Sequence, residues 1–213
     1  LPVLQANGWE LVRRPTGGRA ILHTDELTYA VIGPHAEPRL AGGVLESYQR
    51  LSGALLQALR ALGIPVQSQP HSGVAPEDNR TGPVCFEVPS NYEITVQGKK
   101  LVGSAQARRR EGVLQHGSLP LYGDLQRITQ ALAFPDPGTR IAAAERLLQR
   151  ATTAEACLGY PLAWDTAAQA FVTAFAEHLN LELIPSPLSP HELEQAAVLA
   201  ESKYRAAVWT QRV

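Results

Sequence analysis

The segment around Gly98 alternates apolar and polar residues in the way that paired β-strands do. Ile94 and Val96 alternate with polar neighbours, and Leu101 leads out of the sequence Gly98-Lys99-Lys100, which is typical of a turn. Side chains alternate between the two faces of a strand. We therefore expect a hairpin in which one of the two lysines is solvated and the other points inward, where it can polarise a carbonyl group.

Helical spacing occurs in one long segment of the first half of the chain and dominates beyond Leu121. The clearest helix is predicted between Gly42 and Gly63, where leucines recur at three- and four-residue steps. Further helices are predicted from Asp124 to Ala133, from Trp164 to Leu179, and from an N-cap at Ser189 to about Tyr204. One more is predicted to begin at an N-cap at Thr139, with Ile141, Ala144, Leu147 and Leu148 on one face.

Strands concentrate in the first half of the chain. They are predicted over residues 9–12, 20–22 and 27–32 and in the hairpin, with one more over residues 181–184. This distribution predicts an α+β fold, with a mixed, mostly antiparallel sheet flanked by helices. A length of 213 residues suits one catalytic domain over 1–213.

Composition argues against several classes of function. With 19 basic and 20 acidic residues, the net charge of −1 gives no attraction for nucleic acid or membrane surfaces. Two cysteines make no disulfide framework, and no apolar run reaches the roughly 20 residues of a membrane span, so we expect a cytoplasmic protein. No P-loop, dinucleotide turn or Gly-x-Ser-x-Gly elbow occurs. The six histidines include no His-x-x-x-His pair, and no metal site is predicted.

A thiol and a lysine remain as the reactive candidates. Cys85 can act as a thiolate nucleophile beside Lys100 or a histidine, although a free cysteine is more often a buried packing residue. For Cys157, in an alanine-rich helical stretch, packing is the expected role. The small residues Gly103, Ser104 and Ala105 after the lysines read as a turn.

A glycine-arginine turn and a histidine complete the set. Gly17-Gly18, flanked by arginines, can bring backbone N–H groups to an anionic or carbonyl ligand. It can equally be a hairpin turn with exposed arginines. His116 is either a site donor or a core histidine, and the local spacing does not separate these two readings.

Three stretches together resemble the biotin/lipoate protein ligase and transferase superfamily: RRPTGGRAILHTDELTYAV (13–31), GKKLVGSAQARRREGVLQHGSL (98–119) and KYRAAVWT (203–210). Within it, TGPVCFEVPSNYEI is most similar to a branch of cysteine-dependent octanoyltransferases. The resemblance implies the biotin/lipoate protein ligase catalytic-domain fold. Members usually carry a further segment before the equivalent of Trp9, so we expect the domain over 1–213 to lack its N-terminal segment.

The resemblance also implies roles for individual residues. Cys85 is implied as the nucleophile that carries an octanoyl thioester, and Lys100 as the group that binds the acyl carbonyl. Substrate-binding roles are implied for Arg14, Gly17, Gly18, Arg19, His23, Gly103, Ser104, Gln106 and His116.

The implied reaction moves octanoyl from acyl carrier protein to a lysine of a lipoyl domain, such as that of glycine cleavage H protein. A thioester is already activated, so no cofactor is expected. The run Arg108–Arg110 can meet an acidic carrier protein, or it can be a solvated strand end.

Three alternatives stay open at this point. An ATP-dependent lipoate-protein ligase would use ATP and Mg, with Lys100 on a lipoyl-adenylate and Cys85 merely structural. An amidotransferase would move octanoyl between lipoyl domains. A non-catalytic lipoate- or biotin-binding domain would scaffold a partner and show no turnover.

Overall fold

The computed structural model describes residues 2–70 and 92–211. The chain divides into two compact units. The sheet unit comprises Thr16–Glu182, and the terminal unit comprises Leu1–Pro15 together with Leu183–Val213. The assignment of a single catalytic domain to residues 1–213 stays a prediction.

The sheet unit is built on five strands in the order β1-β5-β4-β3-β2. They are β1 (Glu26–Gly33), β2 (Gln67–Pro70), β3 (Tyr92–Val96), β4 (Lys99–Arg109) and β5 (Gly112–Pro120). Each neighbouring pair is antiparallel, and an isolated parallel bridge joins Lys100 to Ala151. The α+β fold class is confirmed.

The predicted hairpin is formed by β3 and β4. Its turn residues Gln97 and Gly98 have φ angles of 51° and 78°, and positive φ at both central positions matches the turn twist that two-residue hairpins favour. The expected second turn at Gly103–Ala105 is wrong, because β4 runs through these residues without a break. Pairing with His116, Gly117 and Ser118 of β5 keeps these small residues extended.

Three of the predicted strands are not formed. The strand over 27–32 is confirmed as β1, whereas residues 9–12 and 181–184 have no strand pairing and residues 20–22 contribute only a bridge at Ala20. Each of these segments is three or four residues long. Apolar residues over so short a length form a strand only where a partner strand lies alongside.

The described helices are α1 (Pro2–Ala6), α2 (Val44–Ala61), α3 (Ile128–Ala131), α4 (Pro137–Arg150), α5 (Ala154–Leu158), α6 (Trp164–Leu179), α7 (Pro190–Leu199) and α8 (Ala207–Thr210). Helices α2 and α6 confirm two predicted helices. They pack on one face of the sheet, where Leu55, Leu59 and Phe171 join strand residues in the main core. Gly53 of α2 allows this packing, because a Cβ there would lie 2.1 Å from His178 Nε2.

Helix α4 begins earlier than predicted. Asp136, not Thr139, is its N-cap, and Asp136 Oδ1 accepts a hydrogen bond of 2.8 Å from the backbone N–H of Thr139. Pro137 at the first helical position suits this start. Ala143 and Leu147 are the buried residues of the helix, while Ile141 and Leu148 are 60% and 42% exposed, so the predicted apolar face is wrong for these two residues.

A segment between α4 and α5 enters the sheet where two strands separate. The pairing of β4 with β5 ends at Gly103 and Ser118. Beyond that pair, the backbone N–H of Thr152 donates to the carbonyl of Lys100 at 3.0 Å, and the N–H of Glu155 donates to the carbonyl of Leu121 at 2.8 Å. Residues 151–155 therefore fill the fork between β4 and the end of β5.

The terminal unit is helical. The predicted N-cap at Ser189 is confirmed, and Glu192 completes a capping box with it. Trp209 Nε1 donates to the carbonyl of Arg13 at 2.7 Å, and Lys203 Nζ lies 4.4 Å from the centre of the Trp209 ring. Across the described residues, none of the helices is long and apolar enough to cross a membrane.

Candidate functional site

The two faces of the sheet differ in what covers them. Leu27 and Tyr29 of β1 and Leu119 of β5 belong to the core beneath α2 and α6. Because side chains alternate along a strand, their neighbours point to the other face. We call this other face the distal face, defined by Thr28, Ala30, Thr95, Lys100, Gly103, Ala105, His116 and Ser118.

A bulge in β4 puts Lys100 on the distal face. Ile94 pairs with Val102 and Thr95 pairs with Lys100, so Leu101 is an extra residue on β4. Leu101 and Val102 both lie in the core under α2 and α6. The residues on either side of them, Lys100 and Gly103, consequently share the distal face.

Lys100 and Lys99 have different surroundings, as predicted. Lys100 is only 7% exposed, whereas Lys99 is exposed and its Nζ donates to the carbonyl of Leu148 at 2.7 Å. An amine that the fold holds inside the protein, opposite Thr95, is suited to a single ligand oxygen rather than to bulk solvent.

Two hydroxyl groups on the distal face have no hydrogen-bond partner among the described residues. Thr95 Oγ1 and Ser118 Oγ are both buried. Thr95 stands directly across from Lys100, and Ser118 stands directly across from Gly103. These two residues were not among the sequence candidates. Only the bulge reveals that they share a face with Lys100.

The Gly17-Gly18 segment is tied to the distal face through His116. Thr16 Oγ1 lies 2.7 Å from His116 Nε2, and Thr16 is buried. Gly18 has a φ of 102°, which an L side chain rarely adopts, and a Cβ at Gly17 would meet no atom within 4 Å. The structure thus brings His116 and this turn together, with Arg19 partly buried beside it in sequence. Arg14 belongs to the terminal unit.

His23 is placed at the margin of the distal face. Its Nδ1 pairs with Glu26 Oε1 at the start of β1, and the His23 side chain is mostly exposed. Glu26 precedes Thr28 by two residues, so both point to the same face. His23 is thereby committed to an ion pair with Glu26 when it is protonated.

Comparison with known proteins adds the family. The sequence model described as the lipoyl protein ligase A/B catalytic domain matches residues 1–176. The chain belongs to this family. Octanoyltransferase LipM of Symbiobacterium thermophilum is 39% identical over 219 residues, which cover 100% of this chain and 77% of the relative. Octanoyltransferase LipM of Kyrpidia tusciae is 38% identical over 215 residues, covering 98% and 77%.

Solved structures agree on the fold. A bipartite lipoate protein ligase from Thermoplasma acidophilum, studied with its E2 lipoyl domain, aligns with a TM-score of 0.76 at 22% identity, covering 98% of this chain and 73% of that one. A lipoate-protein ligase A bound with ATP aligns with a TM-score of 0.74 at 22% identity, covering 98% and 74%. The lipoate-protein ligase catalytic fold is confirmed.

In this lipoyl protein ligase A/B catalytic domain, Ser104 and Gln106 point away from the distal face. Ser104 Oγ lies 2.7 Å from the hydroxyl of Tyr29, and Gln106 Nε2 donates to Gln115 Oε1 at 2.9 Å and to Ser47 Oγ at 3.0 Å. Both side chains lie on the core face of the sheet, and their assignment to the substrate site stays a prediction. Burial raises the pKa of Tyr29 above its usual range, and its phenol stays protonated.

The arginine run of the domain is divided between two environments. Arg108 Nη1 donates to Gln106 Oε1 at 3.2 Å and to Ser47 Oγ at 3.3 Å, and its Nη2 donates to the carbonyl of Leu40 at 3.0 Å. Arg109 and Arg110 are exposed at the end of the β4–β5 hairpin. Arg108 is therefore half-buried and bonded within the protein, whereas Arg109 and Arg110 are the exposed members of the run.

The structure describes one of the two cysteines of the domain. Cys85 lies outside the described residues, and its role as nucleophile stays a prediction. Cys157 packs against the main core, as predicted. Burial raises the pKa of its thiol, and Thr152 Oγ1 lies 3.8 Å from its sulfur. A raised pKa leaves little thiolate at neutral pH, which is the opposite of what a nucleophile needs.

A small cavity adjoins the distal face of the domain. Its lining combines apolar residues (Ile21, Leu22, Pro120, Leu125, Ile128 and Leu147) with polar and charged ones (Thr24, Asp25, Glu26, Tyr122, Asp124 and Arg127). Pro120 follows Ser118 by two residues on β5, so the cavity lies at the β5 end of the distal face. Its volume of about 40 Å³ holds a few water molecules. An acyl chain would enter it only by moving these side chains apart.

Proposed function

We propose that the protein is an octanoyl-[acyl-carrier-protein]:protein N-octanoyltransferase that works through a thioester on Cys85. Its curated relatives are named octanoyltransferases and match nearly the whole chain at 38–39% identity, which supports acyl transfer as the reaction. The structural observation that carries the proposal is Lys100, which is buried on the distal face of the sheet.

The first half-reaction loads the enzyme. The thiolate of Cys85 attacks the carbonyl carbon of the octanoyl thioester, a new C–S bond forms, and the electron pair of the carbonyl moves to its oxygen. The ammonium group of Lys100 stabilises this oxyanion. When the oxyanion collapses, the bond to the carrier sulfur breaks, and the carrier leaves as a thiolate that takes up a proton.

The second half-reaction delivers the acyl group. The neutral amine of a lipoyl-domain lysine attacks the Cys85 thioester and forms a C–N bond, while the C–S bond to Cys85 breaks. The attacking nitrogen loses a proton, and Cys85 returns to the thiolate. One thioester and one amine thus become one amide and one thiol. The energy of the thioester drives the transfer, so we propose no ATP, metal or other cofactor.

The proposed partners follow from this chemistry. The donor is octanoyl-acyl carrier protein, and the acceptor is a lipoyl domain, such as that of glycine cleavage H protein. Arg109 and Arg110 offer exposed positive charge for an acidic partner. A reactive thiol needs a reducing compartment, which favours the cytoplasm.

The test is intact-protein mass spectrometry after mixing the protein with octanoyl-acyl carrier protein in the absence of ATP. We expect the mass of one octanoyl group to be added, to be removed by hydroxylamine and to map to Cys85. The Cys85→Ala variant should carry no adduct, and the Cys157→Ala variant, which removes the packed cysteine, should be labelled like the parent. No adduct on the parent, together with ATP-dependent attachment of lipoate, would establish a ligase instead.

A further inference from the structure

Helix α4 has two apolar faces, and only one of them is packed. Ala143 and Leu147 are its buried residues, whereas Ile141 and Leu148 are 60% and 42% exposed. Ile141, Ala144 and Leu148 follow the steps of three and four residues that place side chains in one row along a helix. We call these three residues the outer row of α4. Apolar residues at such steps are the contacts by which a helix binds a partner protein.

Positive charge flanks the outer row. Helix α4 carries three arginines, Arg140, Arg146 and Arg150, against a single acidic residue, Glu145. Arg140 and Arg146 are exposed, and none of the ion pairs among the described residues involves either of them. The whole chain has a net charge of −1, so this helix is a local basic excess. Complementary charge speeds the encounter of two proteins and fixes their register, so the surface suits an acidic partner.

Helix α4 borders the face that carries Lys100. Leu147 lines the cavity at the β5 end of the distal face, and Ala151, the residue after α4, forms the parallel bridge with Lys100. Bridged residues are about 5 Å apart. Leu148 is three residues before Ala151, about one helical turn, so its backbone lies within about 10 Å of the backbone of Lys100.

The reach of the acceptor decides which protein partner this surface fits. An acceptor lysine has a four-carbon stem that extends only about 6 Å, so the body of its domain must contact the enzyme close to the reacting carbonyl. A typical interface covers about 800 Å² on each partner, which is a disc of about 16 Å radius. Centred on Lys100, such a disc includes the C-terminal half of α4. Arg109, nine residues along β4, is roughly 30 Å away and lies outside it.

We propose that the outer row of α4, together with Arg140 and Arg146, is the docking surface for the acceptor, an acidic lipoyl domain. This proposal rests on the proposed acyl transfer and adds to it the place where the second substrate binds. Ile141 and Leu148 supply the apolar contact of the interface, and the two arginines pair with carboxylates of the acceptor. The acceptor lysine then extends from the edge of this contact toward Lys100.

Charge reversal tests the surface, with Arg146→Glu as the single variant and Arg140→Glu added in the double variant. Each protein is first loaded with octanoyl on Cys85, freed of donor and mixed with increasing concentrations of unmodified glycine cleavage H protein. We expect the second-order rate constant for delivery to fall about 3-fold in the single variant and at least about 10-fold in the double variant. Its dependence on ionic strength should weaken. Loading by octanoyl-acyl carrier protein, release of the adduct by hydroxylamine and the urea midpoint of unfolding should match the parent.

Arg60→Glu is the matched control for the single variant. Arg60 is an exposed arginine in the last turn of α2, a helix that packs on the opposite face of the sheet from the distal face. The same change of charge there should leave delivery unchanged. Leu148→Gln tests the outer row separately, because glutamine keeps the length and helix propensity of leucine, and it should also slow delivery. Parental delivery in both the double arginine variant and Leu148→Gln would overturn the proposal.

The two half-reactions separate the other outcomes. If the double variant is loaded slowly but delivers at the parental rate, the surface serves the donor, and its assignment to the acceptor is wrong. If the parent forms no Cys85 adduct at all, the proposed function itself has failed. Calorimetric titration of the H protein into the parent and the double variant then tests docking without turnover, and equal Kd values would overturn it.

Discussion

Tyr29 reaches across Gly117 to Ser104, where the two hydroxyl oxygens lie 2.7 Å apart. The three residues stand in one row across β1, β5 and β4. A Cβ at Gly117 would lie 2.7 Å from Tyr29 Cε1 and 2.4 Å from the carbonyl oxygen of Gly103. The absence of a side chain on the middle strand is what allows the phenol to cross it. Gly117 therefore permits both the packing of Tyr29 on the core face and the close approach of β4, the strand that carries Lys100.

The first prediction is that Gly117→Ala destabilises the protein. Overpacking of this kind costs about 1–3 kcal/mol in the free energy of unfolding, and loss of the Tyr29 hydrogen bond adds to it. Urea denaturation measures the change. Gly17→Ala is the control for stability, because a Cβ there meets no atom within 4 Å. Equal midpoints for the two variants would contradict the packing described here.

The second prediction separates the three arginines of the hairpin. Arg108→Ala removes donors from Gln106, Ser47 and the carbonyl of Leu40. We expect it to lower the free energy of unfolding by about 1–3 kcal/mol. The exposed Arg110→Ala should stay within about 0.5 kcal/mol of the parent. Denaturant midpoints check both values, and a stability change that is larger for Arg110→Ala would refute the structural role of the Arg108 hydrogen bonds.

The third prediction concerns the paired lysines. Lys100→Met keeps a long unbranched side chain and removes the ammonium, so kcat for octanoyl transfer should fall by about 10²–10³-fold. Circular dichroism should show a folded protein. Lys99→Met, on the neighbouring residue, removes a hydrogen bond to the carbonyl of Leu148 and should retain most activity. Comparable activity losses in the two variants would mean that the opposite placement of these side chains does not matter.

The fourth prediction is the pH dependence of Cys157. Burial raises the pKa of this thiol in the folded protein, and the unfolded value is about 8.5. The folded state thus disfavours the thiolate relative to the thiol. The stability that the protonated Cys157 thiol contributes is present below about pH 8.5 and is lost as pH rises through the folded pKa. Alkylation of Cys157 at pH 8 should be slower in the folded protein than in urea. Peptide mass spectrometry gives the rate of alkylation. Faster labelling of the folded protein would contradict a raised pKa of the Cys157 thiol.

The hairpin around Gly98 shows what local sequence can predict. Alternation located β3 and the start of β4, and the opposite placement of Lys99 and Lys100 followed from the period of two. The same period applied further along β4 would put Lys100, Ser104 and Gln106 on one face. The extra residue Leu101 reverses the alternation, and a bulge has no signature in the sequence of one strand alone.

Helix α4 shows a different limit. Of the predicted face Ile141, Ala144, Leu147 and Leu148, only Leu147 is among the residues that the sheet unit buries, and Ala143 is the other. Small and large apolar residues lie all around this helix, so its spacing does not determine its rotation, which tertiary packing sets. The assignment of Thr139 as N-cap failed because Asp136 and Thr139 are both good caps, and only the position of Pro137 favours the earlier one.

The segment that fills the fork between β4 and β5 also restricts how a protein substrate approaches. The carbonyl of Lys100 is already bonded to the N–H of Thr152, and that of Leu121 to the N–H of Glu155. An incoming polypeptide finds no free backbone edge at this point with which to extend the sheet. In the proposed acyl transfer, the acceptor lysine therefore cannot be presented by a strand added to the sheet at this point.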